Sequence, residues 1–490
     1  MKGGEILVKL VQNSTMQQAI KTNYSALITL TSVFFFWGFV AASNTILIGL
    51  FKDKFDLLQW QSQLVEFAFY TAYFVGSLIY FAASSLKGDP LLKYGYKMGL
   101  IGGLFISAVG ALGFIPAAQF SSFWLMLFSL FTVGLGFSLL QIVANPYVIA
   151  IGDPKTGAHR VSFAGSINSI GTMIGPLIFN YVIFGSIVDK DVSMVTINSV
   201  KLPYIILAIC FVALAIILWK IKLPKIKQTT DEVSEEVTVP NSRPSVFNYP
   251  QLVFGMLAIF IYVGVEVSIQ SNLPAFMEQE SILGLEPKYT AHFISLYWGS
   301  LMIGRWMQSI GIFNISISMR YLLYFIVPTV AFGVILGFNY ITGMEIRDFY
   351  NYWPFILILI IGFIISKNRP GRTLILFSLI GMLMMILGML TTGKIAVNLF
   401  VSGGLFCSIM WPCIFSLAIA GLGKHANRGS SLLIMMILGG ALIPPLQGFI
   451  GDQVGIHSSY WVPVICFAYL AFYGVIATSS LKKQGINYED

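Results

Sequence analysis

Runs of about 20 apolar residues recur along this chain from beginning to end, and a helix of that length is what crosses the roughly 30 Å hydrocarbon core of a bilayer. No water reaches backbone N–H and C=O groups there, so each run must satisfy them internally and fold as a helix. The runs lie near residues 25–49, 61–83, 97–116, 121–150, 161–186 and 203–222, then 251–277, 289–313, 319–340, 349–366, 372–391, 395–421, 429–450 and 459–479. The run at 349–366 is short. Of 490 residues, 57% are hydrophobic and 10% charged, where soluble domains carry about a quarter charged residues. The chain is therefore expected to be an all-α integral membrane protein of about 14 spans, with the lipid bilayer as its solvent.

Between the runs, the chain divides by polarity. Residues 1–24 are polar, carry Lys2, Lys9 and Lys21, and lack a small-residue cleavage site, so the first run is expected to be a retained span. Residues 223–250 have linker composition and separate a first half, 25–222, from a second, 251–479, followed by a tail at 480–490. With the N-terminus inside, 21 Lys and Arg fall on the inner side and seven on the outer, while Arg305 lies within a run. That bias predicts both termini to be cytoplasmic. The net charge of +8 is then a topology signal and not a nucleic-acid footprint. Cys210, Cys407, Cys413 and Cys466 lie inside apolar runs without metal-ligand spacing, so neither a disulfide nor a metal is implied. His159, His292, His425 and His457 lie in or near predicted loops and form no catalytic constellation.

The halves repeat one another. Arg160 is followed by Gly171 and Pro176, and Arg428 by Gly439 and Pro444, with the Gly 11 and the Pro 16 residues on in both. The preceding runs each hold a proline, Pro146 and Pro412. Such a register, with the same predicted orientation, is expected of a parallel repeat about an axis normal to the membrane, with a ligand site near the midplane between the halves.

The stretches "FFFWGFVAASNTILIGLF", "LLQIVANPYVIAIG", "INSIGTMIGP", "IYVGVEVSIQSNLPAF", "SLYWGSLMIGRW" and "SIMWPCIFSLAIAGLG" resemble the fucose/galactose/glucose permease family, the fucose:proton symporters, of the major facilitator superfamily. "VGVEVSIQS" and "LQIVANPY" are most similar to the glucose/galactose transporter branch. The resemblance implies two six-helix bundles related by pseudo-twofold symmetry. It also implies alternating-access symport of a monosaccharide such as glucose or galactose across a bacterial inner membrane, with no enzymatic activity and no cofactor beyond a co-transported H⁺ or Na⁺. Three departures stand out. Thr45 occupies the place of an aspartate associated with proton coupling, and Gln141 that of a glutamate in fucose permeases, whereas Glu66 replaces the family's usual glutamine. The family has twelve spans, so the runs within 319–366 are expected to be an added hairpin.

An acid at the centre of a spanning helix costs roughly 2.5 to 3.5 kcal/mol on insertion scales, so Glu66 needs a reason. Glu66, Tyr70 and Tyr73 share a helical face. The functional reading is a cation-coupling acid, with Asn44 and Thr45 beside it, taking a proton or holding Na⁺; the structural reading is a neutral acid that only packs helices. Asn44, Gln141, Asn145, Asn168, Gln270 and Gln447 offer amides suited to sugar hydroxyls, and Trp298 and Trp411 offer faces for a pyranose ring. Glu266 faces the same way as Gln270, with Arg305 as a charge partner or substrate ligand. The expected functional unit is a monomer. A facilitative uniporter, a carrier of fucose or N-acetylglucosamine, and a membrane sugar sensor are the alternatives.

Overall fold

The computed structural model describes residues 22–57, 61, 64–153, 156–185, 195–224, 245–285, 287–313, 315–341, 346–367 and 369–486. Segment 1–21, most of the linker and the last four residues lie outside them. The described chain is helical throughout, with thirteen stretches long and apolar enough to cross a membrane. The first half holds α1 (Tyr24–Lys54), α2 (Leu64–Lys87), α3 (Tyr96–Gln119), α4 (Phe123–Ala150), α5 (Gly157–Phe184) and α6 (Lys201–Lys220). The second begins with α7 (Pro250–Met277) and α8 (Pro287–Ser309), then α9 (Ile317–Ile341), α10 (Trp353–Ser366) and α11 (Pro370–Leu390). Helix α8 is long enough to span but is not among the thirteen, and it carries Arg305 and Gln308 in its last turns.

The next two elements are interrupted. Helix α12 comes in three pieces, Gly393–Val401, Gly403–Cys407 and Met410–Ile419. The second break falls at Ser408, four residues before Pro412, whose ring removes the N–H that the Ser408 carbonyl would use and crowds that carbonyl. Helix α13 is Ala426–Met435 and Gly439–Val454, joined by a 3₁₀ turn at Met436–Leu438. The chain closes with α14 (Trp461–Lys483).

Packing repeats between the halves. Helix α1 lies on α5, and α3 on α4 and α6; correspondingly α7 lies on α13 and α11 on α14. The repeat glycines explain the close approach. A Cβ on Gly171 would stand 2.3 Å from the Phe35 carbonyl oxygen, and one on Gly439 1.8 Å from that of Phe260. The α9–α10 hairpin leans on α8, where Tyr352 and Ser300 hydroxyls meet at 2.8 Å and Asn339 Nδ2 donates to Ser295 Oγ at 3.1 Å. The halves meet through α5 against α8 and α2 against α13.

Those two seams are hydrogen-bonded at the end of the molecule that carries the Lys- and Arg-rich loops, the basic end. On one seam, Arg428 donates to Ser84 Oγ at 3.0 Å and to its carbonyl at 2.5 Å, and Asn427 Nδ2 donates to Asp89 Oδ2 at 2.9 Å. Tyr96 OH donates to Asn427 Oδ1 at 2.8 Å, and deeper in, Ser430 Oγ donates to the Ile142 carbonyl at 3.0 Å. On the other seam, the His159 ring donates through Nδ1 to Gln308 O at 2.9 Å, Ser162 Oγ to Arg305 O at 3.0 Å and Tyr24 OH to Ile312 O at 3.3 Å. The basic end is closed. Arg160, the repeat counterpart of Arg428, is fully buried and stays within its own half, donating to the carbonyls of Val148, Ile149 and Asp153 and to Thr156 Oγ1.

Candidate functional site: a polar cleft between the halves

Deeper than these seams, the two halves present different chemistry. On the first half, Asn44 on α1, Tyr73 on α2 and Gln141 and Asn145 on α4 are all buried, with Asn44 beside Glu66 and Tyr73 beside Gln141 and Trp37. Neither amide atom of Asn44 or of Gln141 makes a well-formed hydrogen bond, nor do Tyr73 OH and Asn145 Oδ1. Gln141 lines a small recess of about 10 Å³ with Phe34, Trp37 and Leu140. Leaving a buried polar atom unpaired costs about 1 to 3 kcal/mol, so a cluster of them marks a place that expects hydrogen bonds from elsewhere. The spacing of Gln141 and Asn145 puts both on one face of α4, and Asn145 Nδ2 donates to the Gln141 carbonyl at 3.0 Å.

The second half contributes aromatic rings and an ion pair. Tyr262 OH donates to Glu266 Oε1 at 2.6 Å, Arg305 NH2 stands 3.4 Å from the same oxygen, and Tyr297 OH donates to the Glu266 carbonyl at 2.7 Å. The Trp411 ring lies tilted against Tyr262 with centroids 6.2 Å apart, and its indole N–H is buried without a partner. Tyr70 on α2 is within electrostatic reach of both Glu66 and Glu266, one acid from each half. Glu66 is half-buried beside Asn44.

The remaining sequence candidates are placed differently. Asn168 is buried and donates through Nδ2 to the Phe34 carbonyl at 2.9 Å, crossing from α5 to α1. Gln447 is fully buried, bonded to Ser268 Oγ and, at 3.3 Å, to Ser459 Oγ, all within the second half. Gln270 lies half-buried one turn beyond Glu266, and Trp298 is 38% exposed with its ring edge-on to Tyr297. Thr45 lies on α1, but its side chain falls outside the described residues. The four cysteines are free, and no cluster of metal-binding side chains occurs among the described residues. Sequence reasoning overlooked Trp37, Tyr262, Tyr297 and Ser169. The spacing that linked Glu266 to Gln270 also links it to Tyr262, four residues before; nothing in the sequence pairs Tyr297 with α7.

Two helical halves in parallel repeat, with buried polar groups on each and hydrogen-bonded seams at one end, are the architecture of a membrane transporter. The chain belongs to the Major Facilitator Superfamily, whose pattern matches residues 26–366. It is 34% identical to a glucose/galactose transporter of Brucella abortus over 94% of this chain and 95% of the relative. It is 26% identical to the L-fucose-proton symporter of Escherichia coli over 90% of each. The crystal structure of the E. coli fucose:proton symporter shares the fold, with a TM-score of 0.70 at 24% identity over 92% of this chain and 98% of that one.

Proposed function

We propose that the protein carries a monosaccharide, a hexose such as glucose or galactose, into the cell across the bacterial inner membrane by alternating access coupled to proton entry. The observation that carries this reading is the set of buried amide and hydroxyl groups that make no well-formed hydrogen bond, at Asn44, Tyr73, Gln141 and Asn145 on one half and at the Trp411 indole on the other. Amides offer a donor and an acceptor to paired sugar hydroxyls, and an indole offers its face to the ring's C–H surface. The names of the relatives point to the same substrate class, and that of the fucose-proton symporter to the coupling ion. Residues 25–222 and 251–479 are the two units that rock, joined by the linker, and one chain suffices. The basic end faces the cytoplasm, so with that end closed the site is open to the outside.

Glu66 is the coupling group in this reading. Glu266 already has Arg305 and Tyr262 as partners, whereas Glu66 has the uncharged Asn44 beside it. A single titrating carboxyl is enough to carry a proton. The test is uptake into vesicles of purified protein with D-glucose, D-galactose, L-fucose and N-acetylglucosamine, with and without an inside-alkaline gradient. Accumulation of one sugar that collapses when a protonophore is added is expected. Uptake that only equilibrates, whatever the gradient, would replace symport by facilitated diffusion, and no uptake of any of the four would overturn the substrate class.

A further inference from the structure

Arg305 touches both halves at once. Its NH1 donates to Ser169 Oγ of α5 at 3.1 Å and its NH2 to Glu266 Oε1 of α7 at 3.4 Å, while its carbonyl accepts from Ser162 Oγ of α5 at 3.0 Å. The α5 surface is shaped to receive it. Ser162, Gly165 and Ser169 fall at i, i+3 and i+7 on one face, and a Cβ on Gly165 would lie 3.4 Å from Arg305 Cδ, so the side chain runs over nearly bare backbone. An ion pair that served only to neutralise two charges within the second half would need neither the serines nor the glycine. Nothing in Glu266's own neighbourhood requires α5 either, since Tyr262 OH already donates to the same carboxylate oxygen at 2.6 Å.

We propose that Arg305 is a positioning residue that ties closure of the basic end to the state of Glu266, and so reports occupancy of the cleft to the α5–α8 seam. The proposal rests on the substrate reading above only for what occupies the cleft. While Glu266 holds one end of the guanidinium, the other is aimed at Ser169 and the seam stays together. A sugar hydroxyl that donates to Glu266 takes over part of the carboxylate; the guanidinium loses its anchor, and the loaded carrier opens at the basic end. The planar guanidinium supplies two separated N–H groups for two partners on different helices, which a lysine ammonium does not reproduce.

The experiment measures distances in the purified, ligand-free protein with spin labels. The pair Lys87→Cys and Lys424→Cys reports the basic end, and the pair Ser121→Cys and Glu280→Cys the opposite end, all at exposed positions. Cys210→Ser removes the native cysteine that is not buried. Ser169→Ala keeps the ion pair and removes only the acceptor across the seam; it should raise the population separated at the basic end about tenfold, the worth of one hydrogen bond to a charged group at the lower end. Arg305→Ala with Glu266→Gln removes both charges together and should raise it about tenfold or more. Arg305→Lys should preserve folded yield yet behave like Ser169→Ala, which a purely charge-neutralising role would not produce. If Ser169→Ala and the double variant elute as monodisperse protein with the parent's distance distribution, Arg305 only pairs Glu266 and the proposal is wrong. Adding D-galactose or L-fucose forms a second arm: a sugar should widen the parent's basic end and leave the double variant unmoved. Should no sugar move the parent, the substrate reading fails while the ligand-free comparison still decides the latch.

Discussion

Helices α4 and α5 run unbroken past Pro146 and Pro176, whereas their repeat counterparts α12 and α13 are interrupted near Pro412 and Pro444. A proline frees the carbonyl four residues before it, so what differs is what becomes of that carbonyl. Pro146 frees Ile142, and Ser430 from the other half donates to it at 3.0 Å. Pro412 frees Ser408, and there the helix opens into a turn. Identical residues at matched positions thus give a cross-half bond in one half and a hinge-like break in the other. The same division holds in the cleft: unpaired amides and an acid beside an uncharged amide on the first half, rings and a paired acid on the second. A repeat supplies the frame, and the halves specialise within it.

The comparison breaks most visibly at the two acids. Glu66→Gln keeps size and hydrogen bonding and removes only the charge, so gradient-driven accumulation should disappear while sugar counterflow continues. A Glu66→Gln variant that concentrates sugar as the parent does would make this acid structural. Glu266→Gln, by contrast, strands Arg305 inside the membrane and should cut thermal stability by about 3 to 5 kcal/mol, read from the temperature at which the detergent-solubilised protein aggregates; an unchanged temperature would show that Arg305 needs no counter-charge.

Next come the repeat arginines. Arg160→Ala should lower folded yield, because the three carbonyls that it caps at the ends of α4 and the following loop are left unpaired at about 1 to 3 kcal/mol each. Arg428→Ala should instead leave yield near normal and raise labelling of a cysteine placed at Ser84, since its acceptors belong to the other half. Equal behaviour of the two variants would erase the distinction.

Among the amides, Gln141→Ala should weaken sugar binding by about ten- to a hundredfold, the cost of one buried partner left unpaired, with folding intact. Asn168→Ala should act on stability first, because its amide already spans to the Phe34 carbonyl. Binding titrations and melting curves on both variants separate the two, and a Gln141→Ala variant of unchanged affinity would move the site elsewhere. The smallest effect belongs to Ser430→Ala, expected to raise opening at the basic end by a few-fold for one neutral hydrogen bond. Combined with Pro146→Ala, which returns the missing N–H to α4, the Ser430 change should cost less than it does alone. An equal cost in both backgrounds would mean that the proline is not what makes Ile142 available.

How much of this was legible beforehand varies by element. Span number and the Arg–Gly–Pro register follow from chemistry that acts within one helix: apolar length, a bare backbone at Gly171 and Gly439, and the lost N–H of proline. Which side chains meet the cleft was harder to see. Helices such as α4 and α7 are apolar all round, so no polar stripe tells the face toward the cleft from the face toward a neighbour. For that reason Asn145 and Gln447 look alike in sequence, yet Asn145 keeps an unpaired oxygen and Gln447 bonds to Ser268 and Ser459 inside its own half. The breaks in α12 and α13 were also hidden, since Pro146 and Pro176 advertise the same local chemistry without a break. Arg305 was read as a partner for Glu266, but Ser169 lies 136 residues away, and only the docking of the halves brings it there.

Many of the bonds that close the basic end accept at main-chain oxygens: Ser84, Ile142, Arg305, Gln308 and Ile312. A carbonyl oxygen is carried by every amino acid, so its identity is invisible to selection on side chains. Drift at Ile142, Gln308 and Ile312 leaves those bonds intact as long as the helix path holds, and there the burden of recognition falls on the donors; Ser84 and Arg305 act through their side chains as well. A genetic screen for second-site suppressors of a lost donor such as Ser162 or Ser430 should therefore recover changes that bend or retwist a helix, with proline and glycine prominent, and few side-chain exchanges at the acceptor residues.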